Sequence, residues 1–522
     1  MMSPLSTRAS GILLHPTSLA GPFAHGDLGP CAREFVDFLH QAKQRWWQML
    51  PIHPTGGGDS PYDSPSAFAG SPYLVSLEDL VEVGLLEQGE LPEAAPLAAG
   101  QPDEARFALG RDARVPLLRR AHQRFIQPGS DSLKIAHEEF LQLNNSWVWD
   151  FGLYAALKQV NQLRSWVDWD PELRARSPEA LEAAHRNLKD EVRFEVFCQF
   201  LFHYQWGKLR DYARSKNVSL MGDIPMFVSH DSADVWANQG MFFLGNDGAR
   251  LVQAGVPPDY FSEDGQLWGN PLYRWDAMRG DDYGWWIDRL RRELHKFDAV
   301  RIDHFIALCR YWEVPMGAEN ARGGKYVPVD GAHFLSRVSH HLGGLPYVAE
   351  DLGVLTQEVA DLRDHFALPG MRILQFAFSE GAETYLPHRH PKRSVAYLGT
   401  HDNDTTRGWY ENLQTVASAG GPSAAQARSQ LKRIYAYSGV SDPSQVNRAL
   451  IRLGMASQAD TVILTIQDLL DQDSRSRMNV PGVGSGNWAY RMNPGSLTDP
   501  LADELCDITL VTERASLENP LS

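Results

Sequence analysis

A (β/α)8 barrel with inserted, largely helical subdomains and no C-terminal β-sandwich domain is the fold the sequence predicts. Three observations point to it. Eight short apolar segments with strand character recur along the 522 residues, separated by enough chain for helices. Four of them end in a carboxylate, as strands feeding one barrel rim do. After the eighth, only about fifty residues remain, too few for a β-sandwich of about 100 residues. An open doubly wound sheet is the runner-up, and its glycine-rich phosphate-binding fingerprint is missing. The chain is read as one barrel domain over 1–522, with an insertion at about 80–218 and a further loop insertion at about 226–295.

The elements follow in order. Gly11-Ile12-Leu13-Leu14 is a first buried strand, and Trp46-Trp47-Gln48-Met49-Leu50-Pro51-Ile52 a second, with an amphipathic segment around 35–44 between them. A loop of unusual composition, Gly56-Gly57-Gly58-Asp59-Ser60-Pro61-Tyr62, comes next. Residues 80–218 read as mainly helical around a Pro/Ala/Gly-rich linker at 88–101. Within them Phe194, Phe197, Cys198, Leu201 and Tyr204 recur at the spacing of one long core-facing helix. Strands are then expected at 219–225, 298–305, 346–352, 371–376, 394–398 and 461–466. A glycine-rich loop at 481–487 and a helical segment near 501–515 finish the chain.

Composition narrows the class. Hydrophobic residues make up 43% and charged residues 22%, an ordinary folded balance. The formal net charge is −16 without a long basic run, which argues against nucleic acid and anionic membrane as partners. Four scattered cysteines without a C-x-x-C pair suggest reduced thiols. The first residues have no apolar core of signal-peptide length, and no stretch approaches 18 apolar residues. A soluble, cytoplasmic protein is expected, and neither a metal nor a cofactor is called for.

The chemistry centres on Arg301-Ile302-Asp303. Alternation along a strand puts Arg301 and Asp303 on one face and Ile302 on the other. Reading the other strand ends gives Asp223, Glu350 and the run His401-Asp402-Asn403-Asp404. Any one of these acids alone is more simply a helix cap or a loop ion pair. Four on one rim, with an arginine in step with Asp303, suit glycosidic chemistry, which needs one ionised and one protonated carboxyl group. Arg301 would keep Asp303 ionised, and Glu350, near other carboxylates in a partly dry cleft, would have its pKa raised toward that of an acid. Tyr62, Tyr260, Phe261, Trp268 and Trp488 lie beside Asp, Asn or Gln in turn-rich segments, where they could serve as flat platforms for sugar rings.

These segments resemble the 4-α-glucanotransferases of glycoside hydrolase family 77. The resemblance rests on Gly11 to Leu19, Gly58-Asp59-Ser60-Pro61-Tyr62, Gly222-Asp223-Ile224-Pro225, the run from His230 to Asn238, and Ala254 to Asp276. It continues through Arg301 to Phe305, Val348 to Gly353, Leu368 to Phe378, Gly399 to Thr405 and Asn479 to Arg491. It spans essentially the whole chain and is weakest at about 80–190. It implies that Asp303 is the nucleophile, Glu350 the acid/base, and Asp402 a third carboxylate holding sugar hydroxyls. It further implies sugar-binding roles for Tyr62, Asp223, Gln266, Trp268, Arg301, His304, His401, Asn403 and Asn487, and for Asp259, Tyr260 and Phe261 on a mobile loop. The implied reaction is a retaining transfer from a donor maltodextrin, through a glucosyl-enzyme, to the 4-hydroxyl of an acceptor glucan or glucose. Starch- and glycogen-type glucans are the implied larger partners.

Two positions depart from the family pattern. Gly57 stands where many members carry a tyrosine of a secondary glucan-binding site, and Ile306-Ala307 stand where many continue with Arg-Gly. Altered loop packing is expected at the second, with the Arg-x-Asp core intact. Two rival functions remain at this stage: an α-amylase-type hydrolase sharing the same carboxylates, and an idle glucan-binding barrel. The short tail speaks against the first, and the presence of all three acids against the second. No H-E-x-x-H, EF-hand or G-x-S-x-G pattern supports a metallohydrolase or a serine hydrolase.

Overall fold

The computed structural model describes residues 4–92, 103–129, 131–258, 262–353 and 355–515. Strands are numbered along the chain. Eight of them, β1 (Ala9–Leu13), β2 (Trp46–Gln48), β3 (Ser219–Ile224), β6 (Ala299–Ile302), β9 (Tyr347–Ala349), β10 (Gly370–Ile373), β11 (Ser394–Tyr397) and β12 (Thr461–Thr465), run parallel and close into a barrel in that order. β12 pairs back onto β1 along five register positions from Ala9–Thr461 to Leu13–Thr465. All eight fall on the apolar segments anticipated from sequence, but several are shorter. Leu50 and Ile52 stay buried after β2 has left the ladder. Burial on both faces outlasts strand pairing there, so an apolar run overestimates strand length.

Between β2 and β3 the insertion contains four long helices, Phe107–Phe125, Asp131–Asn144, Val148–Val160 and Lys189–Ser215. In the last of these Phe194, Phe197, Cys198 and Leu201 are buried as the helical spacing requires, and Tyr204 is half-buried. This helix also holds the rim loop that follows β2. Gln199 accepts from Gly70 N (2.8 Å) and donates to Gly70 O (3.0 Å), and Gln205 does the same for Ser76 at 2.7 and 3.0 Å. Two buried amides thus satisfy loop main chain that has no ladder of its own. Gly70 must be glycine here, because a Cβ would run into the Phe202 ring.

A second sheet was not expected. β4 (Val252–Val256), β5 (Gln266–Leu267), β7 (Arg310–Pro315) and β8 (Lys325–Pro328) form an antiparallel sheet in the order β5-β4-β7-β8. The inserted material is therefore not only helical. The insertion placed at 226–295 also does not stand alone, since half of its sheet comes from the chain after β6. These strands have two to six residues amid Gly and Pro, too short for alternation to register as a pattern. At the opposite end of the barrel, Arg514 is fully buried and donates to the carbonyls of Ala9, Met455, Ser457 and Ala459. It ties the segment after the last helix, Asp499–Val511, to the first strand.

Gln199→Leu leaves a buried N–H and a buried C=O of Gly70 unpaired. It is expected to destabilise the protein by about 2 kcal/mol or more, read as a lowered thermal unfolding midpoint. An unchanged midpoint would show that the loop does not depend on this clamp.

Candidate active site

Arg301 on β6 and Asp223 on β3 are register partners in adjacent parallel strands, so their side chains share a face. Arg301 Nη1 donates to Asp223 Oδ2 at 2.6 Å, and Nη2 donates to Asp303 Oδ1 at 2.8 Å. Arg301 and Asp223 are buried at 4% and 1% exposure, whereas the Asp303 side chain, one residue past the strand, is 32% exposed. A cation lies below and an accessible carboxylate above. Burial works against the guanidinium's charge, yet Asp223 and then Asp303 outweigh it and hold its pKa well above the ordinary value. Asp223 is pushed up to about 7, chiefly by burial, with Arg301 pulling the other way.

Glu350 follows β9 directly. Its Oε2 accepts from His304 N at 2.8 Å and its Oε1 from Leu352 N at 3.1 Å. Burial raises its pKa to about 7; Arg301 opposes the rise and the Asp303 charge adds to it. His304 adopts φ 53°, a left-handed conformation that a non-glycine residue rarely takes, while its N–H meets Glu350. Burial lowers the His304 pKa to about 4, so the imidazole is neutral near pH 7. Its ring meets Trp268 edge-on at 4.7 Å, with Phe227 beside both at 6.2 and 6.4 Å.

The third carboxylate comes from the loop after β11. Asp402 Oδ1 accepts from Asn479 Nδ2 at 2.6 Å, and its main-chain oxygen from Arg477 Nη2 at 2.6 Å. His401 Nε2 lies 3.3 Å from Asp402 Oδ2 and 2.9 Å from the Tyr62 hydroxyl. The Tyr62 hydroxyl donates its one proton to Asp223 Oδ2 at 2.8 Å, which assigns the His401 proton to Nε2. Burial lowers the His401 pKa and keeps the ring neutral. Tyr62 stacks on His401 at 5.3 Å, and Trp488 tilts against the two rings at 5.7 and 6.1 Å. A continuous line of polar contacts therefore runs from Asp402 through His401, Tyr62, Asp223 and Arg301 to Asp303.

The other anticipated residues divide. Trp268 is 37% exposed and donates from Nε1 to Gln266 Oε1 at 3.1 Å, so these two present a joint surface beside His304. Asn403 spends its oxygen on the main-chain N–H and hydroxyl of Thr400. Asn487 uses its whole amide on Val480 and Val483 within its own loop. Asp259, Tyr260 and Phe261 lie outside the described residues. Asn479 and Arg477 had no assigned role in the sequence reading. They lie more than 70 positions from Asp402 and meet it only because the loop after β12 folds across the rim.

Gly57 is exposed, and a Cβ there would meet nothing within 4 Å. Ala307 is buried in the short turn Phe305–Leu308, and Ile306 packs against the core. Among the described residues no group of three or more His, Cys, Asp and Glu is arranged to hold a metal ion, and no helix is long and apolar enough to cross a membrane.

The family model described as 4-alpha-glucanotransferase matches residues 14–498. The 4-alpha-glucanotransferase of Thermus thermophilus is 43% identical over 514 residues, covering 97% of this chain and 99% of the relative. That of Synechocystis is 41% identical, covering 97% and 98%. The amylomaltase of Streptococcus agalactiae, solved in complex with acarbose, superposes with a TM-score of 0.91 at 34% identity, covering 98% of this chain and 100% of that one. The chain thus belongs to the 4-α-glucanotransferase family, glycoside hydrolase family 77.

Proposed function

We propose that the protein transfers α-1,4-glucan segments between maltodextrins by a retaining route on Asp303, Glu350 and Asp402. The observation that carries this reading is the unlike setting of the first two acids. Asp303 is gripped by a buried arginine at 2.8 Å, whereas Glu350, half-buried and facing main-chain N–H groups and, among the described residues, no cation within bonding distance, has its pKa raised by desolvation to about 7. A carboxylate paired with a cation and a carboxyl whose setting favours its proton are the two partners a retaining transfer needs. Glu350 gives its proton to the glycosidic oxygen as that bond breaks, and Asp303 closes on the anomeric carbon to hold the donor segment covalently. The 4-hydroxyl of an acceptor glucan or glucose then attacks the same carbon, releases Asp303, and returns its proton to Glu350.

Asp402 has Oδ1 committed to Asn479, while Oδ2, 3.3 Å from His401 Nε2 on a partly exposed side chain, has a further lone pair to accept from sugar hydroxyls. Tyr62 and Trp268 supply ring faces, and Arg301, Asp223, His304 and His401 fix the polar frame around the cleft. Gln266 acts through Trp268, and Asn403 and Asn487 by shaping their loops. Donors and acceptors are maltodextrins, starch- or glycogen-type glucans, and glucose. The family and the S. agalactiae likeness support this substrate class. Four unbridged cysteines suit a reducing compartment, which supports a cytoplasmic site of action.

Incubated with maltotriose, the protein is expected to yield glucose and a ladder of longer chains with little rise in total reducing ends. Shortening with a steady rise in reducing ends would assign it to hydrolysis instead. Asp303→Asn should lower turnover by roughly 10⁴-fold or more while glucan binding, followed by calorimetry, persists. Retained turnover would remove Asp303 from the nucleophile's role. Because Glu350 must carry its proton to donate it, kcat/KM should fall as pH rises through about 7. A limb centred near the ordinary glutamate range would contradict the assignment.

A further inference from the structure

The barrel is closed unevenly beside Glu350. Seven of its eight seams run over three to five register positions. The seam between β9 and β10 has one, Ala349 opposite Gly370. Glu350 comes immediately after this pair. Toward β6 it is well held, with Glu350 N donating to Ile302 O and Phe305 N donating to Glu350 O, both at 3.1 Å. Toward β10, Ala349 N donates to Pro369 O at 2.9 Å, and no register position follows the Ala349–Gly370 pair.

A side chain takes over where the ladder stops. Asp351 Oδ1 accepts from Met371 N of β10 at 2.7 Å. The carboxylate is wholly buried, and its other oxygen accepts from Arg363 Nη1 at 2.5 Å, with Arg372 Nη1 3.6 Å away. Arg363 belongs to the helix Gln357–His365, so the same carboxylate ties that helix to the seam. Gly370 makes the approach possible, since a Cβ there would collide with the Asp351 carboxylate. A buried carboxylate with a main-chain donor and an arginine is strongly held, and removing it leaves both partners uncompensated.

We propose that Asp351 is the positioning residue of the acid/base: its carboxylate stands in for the missing β9–β10 ladder and fixes Glu350 from the β10 side. The neighbouring side chains face opposite ways, Glu350 to the cleft and Asp351 to the seam, so Asp351 acts through the main chain and does not touch the glucan. The inference rests on the reading of Glu350 as the proton donor. Displacement of a catalytic group by about 1 Å costs on the order of 10²-fold in rate, and that is the loss expected when the seam opens.

The test separates proton donation from the rest of the reaction. Fluoride leaves without a proton, so first-turnover fluoride release from α-maltosyl fluoride does not need a well-placed Glu350, whereas cleavage of maltotriose does. Asp351→Ala is expected to lose about 100-fold in kcat on maltotriose, with KM changed little and fluoride release kept within a few-fold of the parent. Asp351→Asn, which keeps an acceptor for Met371 N, should retain more maltotriose activity, and it serves alone if the alanine variant does not fold. Equal losses on both donors would indicate a merely structural role and overturn the proposal, as would unchanged maltotriose kinetics. Glu350→Gln is measured alongside. If it shows no preference for the fluoride donor, the reading of Glu350 itself fails. If it shows the preference and the Asp351 variants do not, only the role given to Asp351 falls.

Discussion

Arg301 is a guanidinium placed where water cannot reach it, and the site is arranged around that constraint. A buried cation persists only if carboxylates and hydrogen bonds replace its hydration. Asp223 meets it from the adjacent strand at 2.6 Å and Asp303 from above at 2.8 Å. Glu350, whose pKa burial raises, is pulled down by Arg301 and pushed up by Asp303, and the Tyr62 hydroxyl donates to the same oxygen of Asp223 that Arg301 holds. The nucleophile and the sugar platform are therefore placed by how one buried charge is satisfied.

Around this centre the rim is held by polar side chains reaching to loop main chain. Gln199 and Gln205 fasten the loop that delivers Tyr62, and Asn479 and Arg477 fasten the one that delivers Asp402. His304 accepts a left-handed backbone while its N–H serves Glu350. Asp351 adds a side-chain bond across the short seam next to the acid. Main-chain groups in such loops have no ladder, and each left unpaired when buried costs about 1–3 kcal/mol. The same hydrogen bonds that keep the rim loops from fraying also fix where the reacting side chains stand.

Much of this was legible in the chain itself. Eight apolar segments marked the barrel strands because strands buried on both faces are apolar throughout, and the residue after each segment marked the rim. Alternation placed Arg301 and Asp303 together because Arg301 lies on the strand and Asp303 is the first residue past its end. The antiparallel sheet was not legible, because strands as short as Gln266–Leu267 carry too few residues to show a period. Asn403 and Asn487 were anticipated as sugar ligands from their motifs; an amide's partners are set by the turn it sits in, and here Thr400 takes the Asn403 oxygen while Val480 and Val483 take the Asn487 amide.

The sequence by itself determined the barrel, the carboxylates at its rim and the pairing of Arg301 with Asp303, since each is a property of neighbouring residues on one strand or of strand succession. Only the tertiary structure decided that main-chain N–H groups hold Glu350, that Asn479 and His401 share the two oxygens of Asp402, and that Asp223 lies under Arg301 and bears no part of the exposed rim. Those facts depend on desolvation and on hydrogen bonds between residues tens to hundreds of positions apart, which local order along the chain does not encode.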